Sequence, residues 1–345
     1  MSAETVVRTR KSPGWGWLAS APPAVAIEIA PTHVTVLAVG DSGGERVISG
    51  YAIEPLAPGV VTAALNAPNV HDQPTLSGIL KTALQKVAPR TRRVALVLPD
   101  TTAKVSLVRF EKVPAKAQDL DQLIHWQVKK AAPFRVEDAQ VSWVPGVALD
   151  GGGREFVVSM ARRDVIQGFE QACDAAGVHA GLVDIASFSL INAQLAASGA
   201  SNGDWLLVHV GHDYVTLAVV RGTDLVFFRN RTLGAESDLT DLVHQTAMYH
   251  EDRLGGGGFS RVVIAGASMA GLEQAERLRR GIEERVGVRV EVLDVRSAAS
   301  MRDRISTSPG LLDALAAPVG VLLRERPFDD SRNGRSSASL TAQGA

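Results

Sequence analysis

Four histidines are the residues of this chain whose type and spacing come nearest to a metal site. His209 and His212 flank the end of one predicted strand, and His244 and His250 lie on the helix predicted to follow it. Imidazole is a common zinc ligand. However, two strand residues three positions apart point to opposite faces of a sheet, and structural zinc sites use more closely spaced sets of Cys and His. We therefore expect no zinc site here.

The sequence also lacks the common signatures of covalent and phosphate-transfer catalysis. It contains no nucleophile elbow of the form Gly-x-Ser-x-Gly, no Walker-A loop and no cysteine–histidine pair. The glycine run 255–258 precedes no helix, so we interpret it as a flexible connector and not as a phosphate loop. Cys173, the single cysteine, is predicted to be a small buried side chain, and it excludes an intramolecular disulfide.

A duplicated unit underlies the chain. The stretch 24–40 reads as two β-branched strands joined by a short turn, and the stretch 206–221 has the same form. Each is followed by a Gly-containing turn and a third strand, at 45–53 and at 223–230. The alignment pairs Ile27 with Val208, Ile29 with Val210, Ala30 with Gly211, Val34 with Val215 and Thr35 with Thr216. We predict two copies of a three-stranded antiparallel meander.

Apolar periodicity supplies the remaining elements. Helices are predicted over 73–87, 119–132, 164–176, 183–197, 239–254, 269–286 and 311–323. Strands are predicted over 93–98, 104–110, 140–147, 154–160, 261–265 and 289–293. The run 93–98 is apolar throughout, which is typical of a buried strand added in parallel. The order βββ-α-β that results is the core of a ribonuclease H-like lobe.

Composition limits the classes of partner. The chain has 345 residues, 46% of them hydrophobic and 21% charged, and a formal net charge of −1, so nothing favours nucleic acid. No apolar run reaches the length of about 20 residues that spans a bilayer. We predict a disordered arm over 1–22, whose Trp15 and Trp17 either touch a membrane surface or partner or cover the edge of the first domain. The tail 329–345 is also predicted to be disordered.

The segment LPDTTAKVSLVRFEKVPAKAQDLDQLIHWQVKKAAPFRVEDA, residues 98–139, resembles the PilM family of type IV pilus assembly proteins. So do Val183-Asp184 and the stretch LVFFRNRTLGAESDLT, and the resemblance covers about 24–324. It implies an α/β, actin-like (ASKHA) fold: two ribonuclease H-like lobes with an FtsA-like inserted α/β subdomain. The expected limits are 23–100 with 183–204 for the first lobe, 101–182 for the insertion and 205–328 for the second lobe.

The resemblance implies an assembly protein and not a metabolic enzyme. Such proteins lie at the cytoplasmic face of the inner membrane, associate with it through partners, and hold the N-terminal tail of the membrane protein PilN in a groove at the inserted subdomain. They thereby join the PilN–PilO platform to the pilus motor ATPases. For this groove we select Arg109, Trp126, Lys130 and Phe134, which can equally serve the core and a solvated surface.

The resemblance also raises the question of ATP and Mg²⁺, because the superfamily grips phosphates with two hairpin turns and approaches adenosine with a Gly-Gly turn. The corresponding positions are Glu28, Thr32 and His33, then Gly211, His212 and Asp213, then Gly266, Ala267 and Ser268, with Glu28 as the candidate Mg²⁺ ligand.

Several positions depart from the superfamily pattern. Glu28 and Ala30 replace the usual Asp and Gly, and Pro31 has no N–H to offer. His209 stands at the second carboxylate position, where neutral imidazole is a poor Mg²⁺ ligand, and Ala265 replaces the first glycine of the late turn. We expect nucleotide binding, if it occurs, to proceed with little or no hydrolysis; otherwise the cleft is vestigial and the lobes simply pack together.

Two other functions found in the superfamily are alternatives to a scaffold function. An ATP-dependent kinase or ATPase of the actin and sugar-kinase type needs an intact phosphate-binding carboxylate, a catalytic base and a substrate pocket, and the altered turns disfavour it. A filament former like FtsA would be expected to carry a C-terminal amphipathic membrane helix, which the sequence does not contain.

Overall fold

The computed structural model describes residues 23–43, 45–233, 239–301 and 308–324. The expectations for the arm 1–22 and the tail 329–345 concern residues outside these ranges. The strands are β1 (Val25–Ile29), β2 (His33–Ser42), β3 (Glu45–Pro55), β4 (Arg93–Leu98), β5 (Lys104–Phe110), β6 (Ala139–Ala148), β7 (Arg154–Arg162), β8 (His179–Ile185), β9 (Trp205–Val210), β10 (Tyr214–Arg221), β11 (Asp224–Thr232), β12 (Arg261–Ala265), β13 (Val290–Val292) and β14 (Ser300–Met301). The helices are α1 (Gln73–Val87), α2 (Ala117–Lys129), α3 (Arg163–Ala175), α4 (Ala186–Ser198), α5 (Leu239–Leu254), α6 (Leu272–Val286) and α7 (Pro309–Leu323).

The predicted duplication appears as two sheets built on the same plan. In the first, β1, β2 and β3 form an antiparallel meander and β4 adds to β1 in parallel, giving the order β14-β3-β2-β1-β4-β8. In the second, β9, β10 and β11 form the meander and β12 adds to β9 in parallel, giving the order β11-β10-β9-β12-β13. Equivalent cross-strand pairs occupy the two copies, Glu28 with Thr35 and His209 with Thr216. The actin-like fold expected from the resemblance is confirmed.

Helices α4 and α7 join the two sheets into one molecule. They pack against each other, and α7 also lies on β1 and β2 of the first sheet. One apolar cluster runs from Val97 of the first sheet through Leu190 and Leu315 of these helices to Leu207 and Val263 of the second sheet. Because burial of apolar surface is the main favourable contribution to folding, this shared cluster joins the two lobes, and each lobe also has a buried apolar cluster of its own.

The inserted subdomain is a three-stranded antiparallel sheet of order β5-β7-β6, covered on one face by α2. Leu120, Ile124 and Val128 of the helix pack on Val108 and Phe156 of the sheet. Successive strand residues point to opposite faces, so the neighbouring side chains of β5, β6 and β7 face away from α2, toward the lobes. Strand β11 of the second lobe contacts β5 and β6.

Two predicted helix starts are wrong. Val183 was expected to open a helix, but β8 continues in parallel register with β4 through Ile185, and α4 begins at Ala186. Pairing with a buried strand overrides the local helical pattern. The late helix was expected from Met269, but residues 267–270 form a 3₁₀ turn and α6 begins after Gly271, whose φ of 115° no helix accommodates.

In the ranges that the structure describes, no helix is both long and apolar enough to cross a bilayer.

Close packing of α4 on α7 predicts that Gly320 cannot carry a side chain. A Cβ placed there would lie 1.8 Å from the backbone oxygen of Ser189, so the helices would have to move apart. We expect Gly320→Ala to lower the free energy of unfolding by about 3 kcal/mol in urea denaturation. Gly78→Ala on α1, where a Cβ meets nothing within 4 Å, is the matched control and should stabilise the protein by up to about 1 kcal/mol. Equal effects of the two substitutions would contradict this packing argument.

Candidate functional site

The cleft between the two lobes is organised by Asp100, which follows β4 and is fully buried. Its Oδ1 accepts a hydrogen bond from the Ser187 N–H at 2.9 Å. Its Oδ2 accepts from Thr216 Oγ1 at 2.6 Å, from the Ser187 hydroxyl, and from His209 Nδ1 at 3.0 Å. The backbone N–H of Asp100 donates to the Tyr214 hydroxyl at 3.3 Å. Both lobes therefore meet at this one carboxylate.

The charge of Asp100 is retained despite its burial. Desolvation alone would raise the pKa of this carboxyl, but hydrogen bonds from His209 and Ser187 and the proximity of His209 bring the pKa below its ordinary value. Four donors hold the carboxylate, one on Oδ1 and three on Oδ2. Asp100 is thus a buried ionised group whose charge is stabilised by groups of the protein itself.

A second buried carboxylate, Asp313, also lies between the lobes. It belongs to α7 and accepts hydrogen bonds from the backbone N–H groups of Gly266 at 2.9 Å and Ser268 at 2.8 Å. Burial raises its pKa, while these two backbone donors act in the opposite direction. The late glycine turn, expected to approach a nucleotide, therefore directs its N–H groups at a side chain of the protein.

Glu28 occupies the cleft near both of these acids. Desolvation, together with the charges of Asp100 and Asp313, raises its pKa from 4.5 to about 8. A carboxyl with that pKa is largely protonated at neutral pH, and a protonated carboxyl is a poor ligand for Mg²⁺. Among the residues the structure describes, no group of three His, Cys, Asp or Glu side chains is arranged to hold a metal ion. The residues present do not fit a Mg²⁺ site.

The backbone turns do not fit a phosphate cradle either. In the first turn Pro31 has no N–H, and the N–H of Ala30 donates to His33 O at 2.9 Å. In the second turn the N–H of Gly211 donates to Tyr214 O at 2.8 Å. A Cβ at Gly211 would lie 2.3 Å from the Tyr214 ring, so this glycine serves the packing of Tyr214.

The side chains predicted to surround a nucleotide are dispersed along these turns. Thr32, His212 and Asp213 are exposed. Thr32 Oγ1 lies 3.0 Å from His33 Nδ1, and burial lowers the pKa of His33. Ala267 is buried in the core of the second lobe. Gly266, at φ 81°, lies against the carbonyl of Val210, where a Cβ would approach to 2.3 Å. The predicted positions thus lie in the three turns, and the N–H groups of Ala30, Gly211, Gly266 and Ser268 already have partners within the protein.

The histidines considered for zinc are used in separate places. His209 faces Asp100, whereas His250 Nε2 lies 2.6 Å from Asp204 Oδ2 and its ring stacks on Phe259. The backbone of Gly256 lies over the His250 ring, where a Cβ would come within 1.9 Å of Cε1. The glycine run 255–258 therefore has a packing role that its interpretation as a simple connector missed.

A cavity of about 530 Å³ lies between the inserted subdomain and the first lobe. Its walls come from β6 and β7 on one side and from α3, β8 and α4 on the other. Apolar contributions include Met160, Ile166 and Phe188, and polar ones include Gln140, Ser142, Ser159, Arg163, Gln167, Glu170 and Asp184. An apolar concavity with a few polar groups at its border is typical of a binding site for a small molecule or a peptide.

Asp184 gives this cavity a titratable group. Desolvation raises its pKa to about 6, the charge of Asp100 acts in the same direction, and the charge of Arg324 and a hydrogen bond from the Ile185 N–H oppose both. The Arg324 guanidinium lies 3.6 Å from Asp184 Oδ2. The carboxyl is thus ionised at neutral pH and becomes neutral in mild acid.

None of the four residues selected for partner binding lines this cavity. Trp126 and Lys130 lie together on α2, with Trp126 57% exposed and Lys130 Nζ 3.9 Å from its ring. Phe134 packs on the α2 side of the inserted sheet. Arg109 lies on the other face, where it is bound to Glu155 at 2.6 Å, at the end of β5 remote from the cavity. The four residues therefore do not form one groove.

Sequence reasoning missed Asp100, Asp313 and Asp184. Each carried a local signal. Asp100 directly follows a fully apolar strand, and Asp313 is the one charged residue of the apolar helix α7. Isolated acids in such positions must be paired when they are buried. Their partners, however, come from elements distant in the chain, so the sequence alone could not name them.

This chain is similar to a known protein family and to several solved structures. A family model described as "Type IV pilus assembly protein PilM" matches residues 26–253, more than half of the chain.

One similar solved structure has the same fold as this chain. A structure described as "PilM-PilN type IV pilus biogenesis complex" is 17% identical, with a TM-score of 0.74, and the match covers 87% of this chain and 97% of that one. The ethanolamine utilization protein EutJ from Carboxydothermus hydrogenoformans is 11% identical (TM-score 0.48, 88% and 90% covered). The cytoplasmic domain of EpsL from Vibrio cholerae is 10% identical (TM-score 0.43, 70% and 80% covered).

The raised pKa of Glu28 predicts a pH-dependent stability. The folded protein holds this carboxyl protonated up to a pH of about 8, whereas the unfolded chain ionises it near 4.5. The protonated Glu28 carboxyl therefore makes its full contribution to the free energy of unfolding below pH 4.5. This contribution is lost as the pH rises through about 8. Glu28→Gln, which mimics the protonated acid, should raise the free energy of unfolding at alkaline pH by on the order of 3 kcal/mol, with the gain vanishing in acid.

Urea denaturation in mildly acidic, neutral and alkaline buffer measures this gain. Glu111→Gln, a change at an exposed position, is the control and should alter stability by less than about 0.5 kcal/mol at every pH. A Glu28→Gln effect that does not grow with pH would show that the carboxyl is ionised in the folded protein.

Proposed function

The chain belongs to the PilM family of type IV pilus assembly proteins, and on that premise we propose that it is a scaffold that captures the N-terminal tail of a PilN-type membrane protein. A solved relative is described as a complex of PilM with PilN, which supports the choice of partner. In this proposal the protein lies at the cytoplasmic face of the inner membrane, is held there through its partners, and connects a PilN–PilO platform to the motor ATPases.

One observation carries the proposal for the docking site: the cavity between the inserted subdomain and the first lobe. Its volume is about 530 Å³, and its walls combine apolar side chains such as Met160, Ile166 and Phe188 with polar ones. Peptide-binding clefts have this composition because apolar side chains of the peptide supply affinity and rim polar groups fix its direction.

Two sheet edges border this cavity. Strand β6 is the edge of the inserted sheet, and β8 is the edge of the first sheet, within the sheets that the described residues form. Edge strands offer unpaired backbone N–H and C=O groups, and an extended peptide can satisfy them by pairing as an additional strand. The cavity therefore suits an extended tail, with peptide side chains reaching alternately toward Phe188 and toward the rim.

Phosphoryl transfer is not part of the proposed function. A kinase needs donors free to bind phosphate and a metal to neutralise its charge. In this cleft the N–H groups of Gly266 and Ser268 in the glycine turn already donate to Asp313.

Blocking the cavity should abolish peptide capture. Gln140 is an exposed lining residue on β6, so Gln140→Trp fills the opening without disturbing the core. We expect the affinity for a synthetic peptide with the sequence of the N-terminal tail of the cognate PilN to fall at least about tenfold in calorimetric titration. Gln85→Trp, at an exposed position on α1 remote from the cavity, is the matched control and should bind the peptide as the unaltered chain does.

The substitutions Trp126→Ala and Lys130→Ala distinguish the cavity from the surface of α2. Loss of binding in these variants, with Gln140→Trp unaffected, would place the peptide on α2 and refute the cavity as the docking site. Failure of every form of the chain to bind the peptide would refute the proposed partner.

Capture should also weaken in mild acid. The peptide's terminal amine is cationic, and Asp184, with a pKa of about 6, is the lining carboxylate whose ionisation changes in this range. Lowering the pH from above 7 to near 5 should therefore reduce affinity by about three- to tenfold. Asp184→Asn should bind less tightly at neutral pH and lose most of this pH dependence; an undiminished dependence in Asp184→Asn would assign it to another group.

A further inference from the structure

We propose that the carboxylates of Asp100 and Asp313 are built-in anions that hold the two lobes closed on each other, so that this chain adopts its closed form without nucleotide. The proposal concerns the cleft between the lobes and is independent of the peptide cavity, which has different walls. The cleft does not fit a Mg²⁺-nucleotide, and the proposal gives Asp100 and Asp313 a structural role there instead.

The first lock joins the lobes through Asp100. Its carboxylate follows β4 of the first sheet, while Thr216 and His209 belong to β10 and β9 of the second. All three side chains are buried, Asp100 and Thr216 completely. Opening the cleft would leave a buried charge without two of its four donors, and an unpaired charge is costly in a low-dielectric interior.

The second lock has the same direction as the first, from an acid held against the first sheet to donors of the second lobe. Asp313 lies on α7, which packs on the first sheet, and its two oxygens accept the N–H groups of Gly266 and Ser268 at the end of β12 in the second lobe. A pair of backbone N–H groups at a turn is a typical anion cradle. Here the protein supplies the anion, and a phosphate would have to displace a carboxylate that the fold holds in place.

Apolar packing reinforces both locks. The core of the two lobes is continuous through α4 and α7, and Gly266 lies so close to Val210 that no side chain fits between them. The Tyr214 ring covers Gly211 and its hydroxyl reaches the backbone of Asp100. The second and late turns are therefore packed against groups of the chain at Gly211 and Gly266.

The experiment is hydrogen–deuterium exchange on the full chain, with and without saturating Mg-ATP. We expect slow amide exchange over 209–216 and 266–270 without ligand, and a change of less than about twofold on adding Mg-ATP. In Asp313→Ala, exchange over 266–270 should accelerate at least about tenfold, because two N–H groups lose their acceptor. Asp150→Ala, in the exposed loop between β6 and β7, is the control and should exchange like the unaltered chain.

The more conservative Thr216→Val keeps the volume of the side chain and removes one donor to Asp100. It should accelerate exchange over 209–216 by about three- to tenfold, and it carries the test if Asp313→Ala does not fold. Protection of the unaltered chain by Mg-ATP beyond about twofold, with calorimetric heat of binding, would overturn the proposal. So would unchanged exchange in both variants, since the carboxylates would then not hold the lobes.

Discussion

The buried charge of Asp100 is the constraint on which the arrangement of the two lobes depends. A carboxylate removed from water is stable only when hydrogen-bond donors replace its hydration, and Asp100 obtains donors from α4, β9 and β10. These elements come from both halves of the molecule, so one side chain fixes their relative position. The apolar cluster through α4 and α7 supplies the larger share of the free energy, whereas the carboxylate specifies the geometry.

Both lobes contain the same three-stranded meander, but different residues occupy equivalent positions in the two copies. Glu28 and Thr35 pair across β1 and β2 as His209 and Thr216 pair across β9 and β10. In the second copy the hydroxyl of Thr216 binds Asp100 and receives a hydrogen bond from Asn230 at 2.8 Å. In the first copy the buried Thr35 hydroxyl has no hydrogen-bond partner in the structure. The threonine of the second copy thus helps to join the lobes, whereas the equivalent threonine of the first copy does not.

The cavity proposed for the peptide lies at the inserted subdomain, apart from the contacts of Asp100 and Asp313 between the lobes. Helix α2 of this subdomain covers one face of the three-stranded sheet, and the opposite face, together with β8 and α4, borders the cavity proposed for the peptide. Asp184 is one residue from the end of β8 and α4 carries Ser187, so the wall of the cavity and the Asp100 lock share a continuous backbone. A scaffold gains from this arrangement, because a rigid junction presents its docking surface in a fixed orientation.

The sequence by itself determined the duplicated meanders, the parallel strands β4 and β12, the inserted α/β subdomain and the family, because apolar periodicity and local motifs are carried by consecutive residues. It also located the turns in which Pro31 and His209 depart from a nucleotide-binding pattern. Only the tertiary structure decided where β8 gives way to α4, what Asp100 and Asp313 bind, and that Arg109, Trp126, Lys130 and Phe134 do not share a groove. Those outcomes depend on contacts between residues 45 to 116 positions apart, or on the face to which a strand residue points. Pairing at such distances leaves no periodic trace in the chain.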